Sequence, residues 1–310
     1  IVYSDATKGW LPVSDDAVAD VGTAPPTQKA IFGFGFSSTN ITNLVSSSGV
    51  VATDTTGVGT SRHGLAAAGY GGDKAIFGYG AGVTNLTNLV SNAGVVATDT
   101  TGVGTARIVL AAASYGGDKA IFGYGDSGGD TYVSMSNLVS SSGVVADDVT
   151  GVGTGRSGLA ATGYGGDKAI FGYGYNSSAR VSMSNLVSNS GVVATDVSGV
   201  GTARDSSAAT GYGGDKGIFG YGDTGSKVSL TNLVSNIGVV GSDVTGVGTA
   251  RRGLAAAGYG GDKAIFGYGT TASNVSMTNL VSNSGVVATD VSGVGTARQL
   301  LAAAGYSLSA

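Results

Sequence analysis

The chain has 310 residues and a formal net charge of −4, and all 20 of its acidic residues are aspartate. It contains no cysteine, no basic run and no stretch of about 18 apolar residues. Disulfides, thiolate chemistry and a membrane span are therefore not expected. Duplex nucleic acid is not an expected partner either, because binding phosphate requires clustered Lys and Arg. Glu is absent and Gln nearly so, whereas Val, Thr, Tyr, Ser, Asn and Gly abound, which predicts an all-β fold.

Residues 1–28 form an N-terminal segment that differs from the rest of the chain. It holds the only tryptophan, Trp10, and all three prolines, Pro12, Pro25 and Pro26. The proline pair indicates a stiff linker into the region that follows. Apolar residues before the linker suit docking on the rest of the chain or on partner proteins of a larger assembly, although an ordered tail would read the same. We predict an arm over 1–28 and a second domain over 29–310.

Six near-copies of one repeat follow the arm. KAIFGYG recurs with its lysine at Lys29, Lys74, Lys119, Lys168, Lys216 and Lys263, and GVGTAR ends each copy. The period of 45 to 49 residues is in the range of propeller blades.

In chain order, a copy predicts four short strands. Strand A is LAAAGY and strand B is KAIFGY, with the turn GGD between them. Strand C is SNLVS or its equivalent, and strand D is VVATD, after a Gly-containing turn. Gly-rich connections between β-rich runs are hairpin signals, and four antiparallel strands at this period make one propeller blade.

The two ends of the repeat region predict a closed ring. The first copy starts at strand B, at Lys29, and the last copy stops after strand A, at Tyr306. The C-terminal strand can therefore complete the first blade and remove exposed edges. The sequence predicts an all-β, six-bladed β-propeller of four-stranded antiparallel blades, closed by the C-terminal strand.

Only two parts of the repeat vary. The distance from the last glycine of strand B to the asparagine of strand C is 8, 8, 12, 11, 10 and 10 residues in the six copies, whereas the other spacings are constant. The second variable position follows the repeated arginine of GVGTAR. In an up-and-down blade the B–C and D–A connections emerge at one end, so the variation collects on one face.

Residues 59–67 (GTSRHGLAA) and 74–80 (KAIFGYG) together resemble a kelch repeat, in which an Arg precedes a small-residue strand, a short turn and an aromatic strand ending in paired glycines. The resemblance covers residues 29–306. Two departures are that an aromatic residue splits the glycine pair and that the late Trp is absent. The low-charge, nearly identical copies are also similar in style to propeller repeats of bacteriophage virion and other surface proteins.

Kelch-like propellers include enzymes, so the resemblance by itself leaves an enzymatic function open. A galactose-oxidase-like copper site needs Cys, His and Tyr ligands, and the chain has one histidine, His63, and no Cys. Sialidase-like Asp boxes are absent, and a Ser-His-Asp triad would have to use His63, which lies in a variable loop without a nucleophile elbow. We therefore expect no enzyme and no cofactor, and interpret His63 as a solvated loop residue.

Each copy also repeats one Asp and one Arg, eight residues apart. Two interpretations are open: a ring of ligand or cation sites, or structural groups in which each Asp stabilises the TTGVGTAR loop and each Arg bonds loop carbonyls or a nearby Asp. Calcium-loop spacing is absent and no metal site is expected, so the structural interpretation is favoured. The pairs are Asp54 and Arg62, Asp99 and Arg107, Asp148 and Arg156, Asp196 and Arg204, Asp243 and Arg251, and Asp290 and Arg298.

The variable loops supply the binding candidates, because exposed aromatic and charged residues on a rigid scaffold build recognition surfaces. Drift in unconstrained loops would look the same. The candidates are Tyr132, Tyr175, Asp126, Asp130, Arg180, Lys227, Asp205, Arg252 and His63. The leading hypothesis is a non-enzymatic virion or extracellular propeller whose variable face binds a receptor, glycan or partner protein. The alternative is an architectural decoration or cement protein without a receptor.

Overall fold

A computed structural model describes residues 2–5, 9–11, 27–36 and 39–309. Every regular element in this part of the chain is a β-strand, and no helix there is long and apolar enough to cross a membrane. The strands are β1 Val2–Asp5, β2 Gly9–Leu11, β3 Lys29–Gly35, β4 Thr39–Val45, β5 Ala66–Tyr70, β6 Lys74–Gly80, β7 Thr84–Val90, β8 Ala111–Tyr115, β9 Lys119–Gly123, β10 Ser136–Val139, β11 Ala160–Tyr164, β12 Lys168–Gly172, β13 Ser184–Val187, β14 Ala208–Tyr212, β15 Lys216–Asp223, β16 Lys227–Val234, β17 Ala255–Tyr259, β18 Lys263–Gly267, β19 Thr278–Val281 and β20 Ala302–Tyr306.

The strands after the arm form six antiparallel sheets, each made of one strand A, one strand B and one strand C. This confirms the predicted all-β, six-bladed propeller. The blades, in the order in which strand B occurs in the chain, are β20-β3-β4, β5-β6-β7, β8-β9-β10, β11-β12-β13, β14-β15-β16 and β17-β18-β19.

The predicted fourth strand is not a regular strand. In blade 2, Val90 pairs with Val96 and Thr87 with Thr100, each as an isolated bridge. Thr87 and Val90 of strand C are three positions apart, whereas their partners Thr100 and Val96 are four positions apart. The outer segment therefore carries one extra residue, which interrupts the ladder. The side chain of Asn88 donates to a carbonyl oxygen of that segment at 3.0 Å. The prediction of four regular strands per blade was therefore wrong in its outer strand, which is a bulged, bridged segment.

The first blade contains both ends of the repeat region. Strand β20 pairs antiparallel with β3, with Ala302 opposite Gly33 and Tyr306 opposite Lys29. In place of a covalent A–B turn, the amide of Gln28 donates to the carbonyl of Ser307 at 2.8 Å. Blade 1 shares one buried apolar cluster with blade 6 and another with blade 2.

Neighbouring blades interlock through strand B. The ring of Phe122 packs onto the backbone of Gly78 in the preceding blade, where an added Cβ would lie 2.7 Å from the Phe122 Cζ atom. Tyr79 contacts the same ring edge to face, at 5.1 Å between centroids. The Phe-on-Gly contact recurs at all six interfaces and includes Phe32 over Gly267. The strand B aromatic residues thus pack between blades, and the contact requires glycine in the IFG motif.

The turns at one end of the blades are also joined in a ring. The amide after each strand A donates to the carbonyl before strand B of the next blade, at 2.7–3.0 Å. The donor and acceptor pairs are Gly71 and Asp118, Gly116 and Asp167, Gly165 and Asp215, Gly213 and Asp262, Gly260 and Gln28, and Ser307 and Asp73. The C–D turns lie at this same end, since an added Cβ at Gly71 would lie 2.9 Å from the Ser141 carbonyl oxygen. We call this end the turn face.

The described part of the arm consists of the hairpin β1–β2 and of residues 27 and 28 at the start of blade 1. Thr27 lines the central channel, and its carbonyl accepts from the amide of Gly261. Pro12 and the Pro25–Pro26 linker lie outside the described residues. The arm as a docking segment stays a prediction.

Candidate binding face

The opposite end of the propeller carries the variable loops, and we call it the loop face. Its B–C loops pair directly with the segments that follow the repeated arginines. In blade 4, the amides and carbonyls of Ser157 and Tyr175 exchange two hydrogen bonds, at 3.0 and 2.8 Å. Ile108 and Asp126 do the same in blade 3. The two variable regions thus form one continuous, ordered surface.

A circle of backbone hydrogen bonds holds the centre of the loop face. Six residues, one per blade, each donate an amide hydrogen to the preceding blade and accept one from the next, at 2.7–3.0 Å. All six have positive φ, between 51 and 64°. They are Gly64, Val109, Gly158, Ser206, Gly253 and Leu300. The loops are therefore mounted on a rigid base.

The repeated arginines lie inside the propeller, at most 1% exposed. The guanidinium of Arg156 stacks over the ring of Tyr124 in the preceding blade, 4.3 Å from its centroid. Its Nε donates to the carbonyl of Tyr173 at 2.8 Å, and another nitrogen donates to Asn185 Oδ1 at 2.7 Å. Desolvation by burial lowers the pKa of Arg156. Each arginine thus makes buried contacts with two neighbouring blades.

The same stack supports unusual backbone geometry. The aromatic residue between the two glycines of each strand B has φ of 62–66°, a conformation that is unfavourable for a bulky side chain. The guanidinium above it and the packed ring of the next blade fix that conformation. The residues concerned are Phe34, Tyr79, Tyr124, Tyr173, Tyr221 and Tyr268.

Each repeated aspartate binds the GVGT loop through which the chain enters that aspartate's own blade. Asp99 accepts hydrogen bonds from the amide and the hydroxyl of Thr60, at 2.9 and 2.6 Å, and from Asn88 at 2.9 Å. Partial burial raises the pKa of Asp99, but these hydrogen bonds outweigh it and hold the pKa below its ordinary value. Thr60 belongs to the loop of the preceding copy, so each Asp stabilises its neighbour's GVGT loop and not its own.

The repeated Asp and Arg side chains contact other groups of the protein. Arg62 Nη1 lies 3.6 Å from Asp99 Oδ1, and comparable contacts recur in other copies. No group of three His, Cys, Asp or Glu side chains in the described ranges is placed to hold a metal ion. The turn aspartates, such as Asp73, pair with the adjacent lysine, here Lys74 at 2.8 Å.

Two of the predicted loop residues form an aromatic pair. Tyr132 and Tyr175, from the long loops of blades 3 and 4, are half-buried, and their rings meet at 90° with centroids 6.0 Å apart. Asp130 is exposed, with Oδ1 3.4 Å from the Tyr132 hydroxyl. Desolvation and the negative charges of Asp130 and Asp126 raise the pKa of Tyr132. The potential around this pair is therefore negative.

The predicted charges of the next sector are not free. Arg180 lies 3.3 Å from Asp205 and 3.1 Å from Asp223, and Arg252 lies 2.9 Å from Asp223. Asp223 is only 5% exposed and also accepts the amide of Gly225 at 2.7 Å. The cluster links loops of blades 4, 5 and 6, and the two arginines are paired with two aspartates, so their charges are balanced within the cluster.

Asp223 was missed at the sequence level. It is the first residue of the variable stretch DTGSKVSL, and its position before a turn with glycine was the available signal. Burial raises the pKa of Asp223, whereas the Gly225 amide and the two arginines lower it further than burial raises it. Burial raises the pKa of Asp205 above its ordinary value, against the opposing effect of Arg180.

The two remaining candidates lie elsewhere on the face. His63 packs edge to face on Phe36, 5.0 Å between centroids, and burial lowers its pKa. His63 is thus half-buried, because the short loop of blade 1 brings a phenylalanine beside it. Lys227 is half-buried where β15 pairs with β16, opposite Asp223.

The channel widens toward the turn face. There the small residues of strand A, such as Ala67, Gly69 and Ala112, line a cavity of about 250 Å³. At the loop face a cavity of about 70 Å³ is lined by the hydrogen-bonded circle and by one residue before each strand A. That residue is leucine in five blades and Ser207 in blade 5.

The fold and the face define a six-bladed β-propeller with ordered loops on one face. The solved structure of YjhT is similar to this chain, with a TM-score of 0.63, 12% sequence identity, and coverage of 85% of this chain and 97% of that chain. At that identity the likeness shows the fold alone. No protein-family model and no curated protein matches the chain.

Proposed function

We propose that this protein is a non-enzymatic binding component of a virion or cell surface, and that its loop face recognises a receptor, glycan or partner protein. The observation that carries the proposal is that the variable loops are held in place by hydrogen bonds. They differ between copies in length and sequence, yet they are hydrogen-bonded to one another on a rigid circle. A scaffold that fixes its variable residues is suited to recognition.

The charges of the face support binding over catalysis. The cations Arg180 and Arg252 are engaged by Asp205 and Asp223 in contacts that hold loops together. His63 is packed on Phe36. The arginines and the histidine of the face therefore take part in contacts that shape its surface.

One observation favours a purely architectural role as a second candidate. Each blade exposes a valine after its C–D turn, 59–65% accessible, so that six equivalent apolar points surround the propeller. Such a set would suit repeated contacts in a lattice. The valines are Val50, Val95, Val144, Val192, Val239 and Val286. In that role the protein would decorate or cement a larger assembly, with the arm as a further contact to its protein partners.

The test compares binding of three proteins to candidate host cells and a glycan panel. The first is the parent, and the second has the B–C loops of blades 3 to 6 cut to the eight-residue spacing of blades 1 and 2. The third is Ile237→Ser, which changes a 74% exposed residue of the turn face to the residue found at that position in most copies. Recognition by the loop face requires that the parent and Ile237→Ser bind and the folded, trimmed protein does not. Equal binding by all three, or none, supports the architectural role.

A further inference from the structure

Tyr132 and Tyr175 form a corner on the loop face. Their rings come from loops of adjacent blades and stand at 90° with centroids 6.0 Å apart. Both loops are fixed by backbone pairing, Tyr132 with Asp126 and Tyr175 with Ser157. Each ring is half-buried, so part of it remains accessible. Two perpendicular aromatic rings on backbone-paired loops form a preorganised surface for a rigid, ring-shaped ligand.

The groups around the corner accept hydrogen bonds. Asp130 is exposed and touches the Tyr132 hydroxyl at 3.4 Å. Asp126 uses Oδ1 to accept the Gly128 amide at 2.8 Å, which leaves Oδ2 for another donor. Carboxylates and phenol groups beside an aromatic wall can bind the hydroxyls of a polyol while the wall packs against its C–H groups.

The negative charges near the corner favour uncharged sugars over anionic sugars. Near the corner, Asp126 and Asp130 contribute two negative charges. The nearest cation of the cluster, Arg180, is held by Asp205 and Asp223. An anionic sugar would meet repulsion without a free partner for its acid group. An uncharged sugar would meet acceptors for its hydroxyls.

We propose that the Tyr132–Tyr175 corner is a subsite for a neutral pyranose of a glycan, packed on the tyrosine rings and hydrogen-bonded to Asp130 and Asp126. This rests on the proposed function, and narrows it from recognition in general to uncharged carbohydrate at one boundary between blades 3 and 4. The sugar lies over the loops and not in the central channel.

The test uses saturation-transfer NMR and titration with lactose, maltotriose, cellotriose and mannotriose, with 3′-sialyllactose as the charged counterpart of lactose. The parent should bind at least one neutral probe, and should bind sialyllactose about tenfold or more weakly than lactose if lactose is a ligand. Tyr132→Ala and Tyr175→Ala should each lower affinity about tenfold. Tyr132→Phe should retain most of it, since the ring remains.

Phe36→Ala is the matched control, because it removes a 43% exposed aromatic residue from the other side of the same face. It should bind the probe as the parent does, and unchanged melting temperatures should exclude misfolding of the variants. Absence of binding to every neutral probe, a preference for sialyllactose, or full binding by both alanine variants would overturn the proposal. If the trimmed protein loses cell binding while Tyr132→Ala and Tyr175→Ala keep it, the recognition face stands and the sugar subsite fails.

Discussion

Thr296 donates two hydrogen bonds to Asp54, from its amide at 3.0 Å and from its hydroxyl at 2.6 Å, although the two residues are 242 positions apart. Thr105 donates the same two hydrogen bonds to Asp148, from its amide and its hydroxyl. The two contacts lie in different blades, Thr296–Asp54 in blade 1 and Thr105–Asp148 in blade 3. In blade 3 a covalent turn joins strands A and B, whereas in blade 1 those strands belong to opposite ends of the repeat region.

Asp54→Ala and Asp148→Ala should therefore have different local effects. Each removes equivalent hydrogen bonds and should lower the free energy of unfolding by about 1–3 kcal/mol. Only Asp54→Ala should also increase opening of β20 from β3, because no turn holds that pair together. Hydrogen exchange measured by mass spectrometry checks this, with faster exchange in β20 and β3 than in β8 and β9 of the matched variant. Equal exchange in both pairs would contradict it.

Replacing one buried arginine should destabilise the fold strongly. Arg156→Met leaves Asn185 Oδ1 and the carbonyl of Tyr173 without their donors, and should lower the free energy of unfolding by about 3–5 kcal/mol. Lys168→Met is the control, since its pair with Asp167 is 2.6 Å long but 43% exposed on the lysine side, and it should cost less than about 1 kcal/mol. Chemical denaturation measures both. If Arg156→Met lowered the free energy of unfolding no more than about 1 kcal/mol, as expected for Lys168→Met, the buried arginine contacts would be dispensable.

Stability should fall in acid. All six repeated aspartates have pKa values below their ordinary 3.8, because hydrogen bonds to the carboxylate outweigh the effect of partial burial. A lowered carboxyl pKa stabilises the fold above the unfolded value, and that stabilisation is lost as the pH falls through the folded value. Apart from the contribution of His63, the urea midpoint should be nearly constant above about pH 5 and decline below about pH 4.

His63 adds a separate, smaller dependence. Burial lowers its pKa from the ordinary 6.5, so protonation favours the unfolded chain and stability decreases as the pH falls through about that value. His63→Gln should remove the change near pH 6.5 and leave the acid decline below pH 4. A midpoint that stays constant down to about pH 2.5 would contradict the aspartate assignment.

Ser207→Leu should stabilise the protein. The Ser207 hydroxyl is buried without a hydrogen-bond partner among the described residues, at a position where the other blades carry leucine. The backbone is the same there, since an added Cβ at Gly222 would lie 3.2 Å from the Ser207 Cβ, as one at Gly80 would from the Leu65 Cβ. Filling part of the 70 Å³ cavity should raise the free energy of unfolding by about 1–2 kcal/mol.

Leu254→Ser is the reciprocal variant, and should lower the free energy of unfolding by about 2–4 kcal/mol through a lost apolar side chain and a second buried hydroxyl. Thermal unfolding of the two variants and the parent is sufficient to compare them. A destabilised Ser207→Leu would mean that the cavity cannot hold a sixth leucine.

Much of the fold could be predicted because the repeat states each local requirement six times. The glycine of IFG, the small residues of strand A and the turn GGD each limit the backbone wherever they occur. The bulge in the outer segment was not predicted, since VVATD reads as a regular strand. In the folded blade the side chain of the strand C asparagine donates to that segment, a contact that the strand pattern does not indicate.

The candidate site divides in the same way. Sequence alone determined that six blades share one framework and that variation is confined to two loops, because spacing and identity along a chain are fully written in it. Tertiary structure alone decided what the charged residues do. From the sequence, Arg180, Asp205 and Arg252 were candidates for an exposed binding surface, but folding places Asp223 between the two arginines. A structural role was expected for the repeated arginines, but their burial and their stacking on an aromatic ring of the preceding blade appear only in the folded protein. Burial and partners depend on contacts between distant residues, and such contacts exist only once the chain has folded.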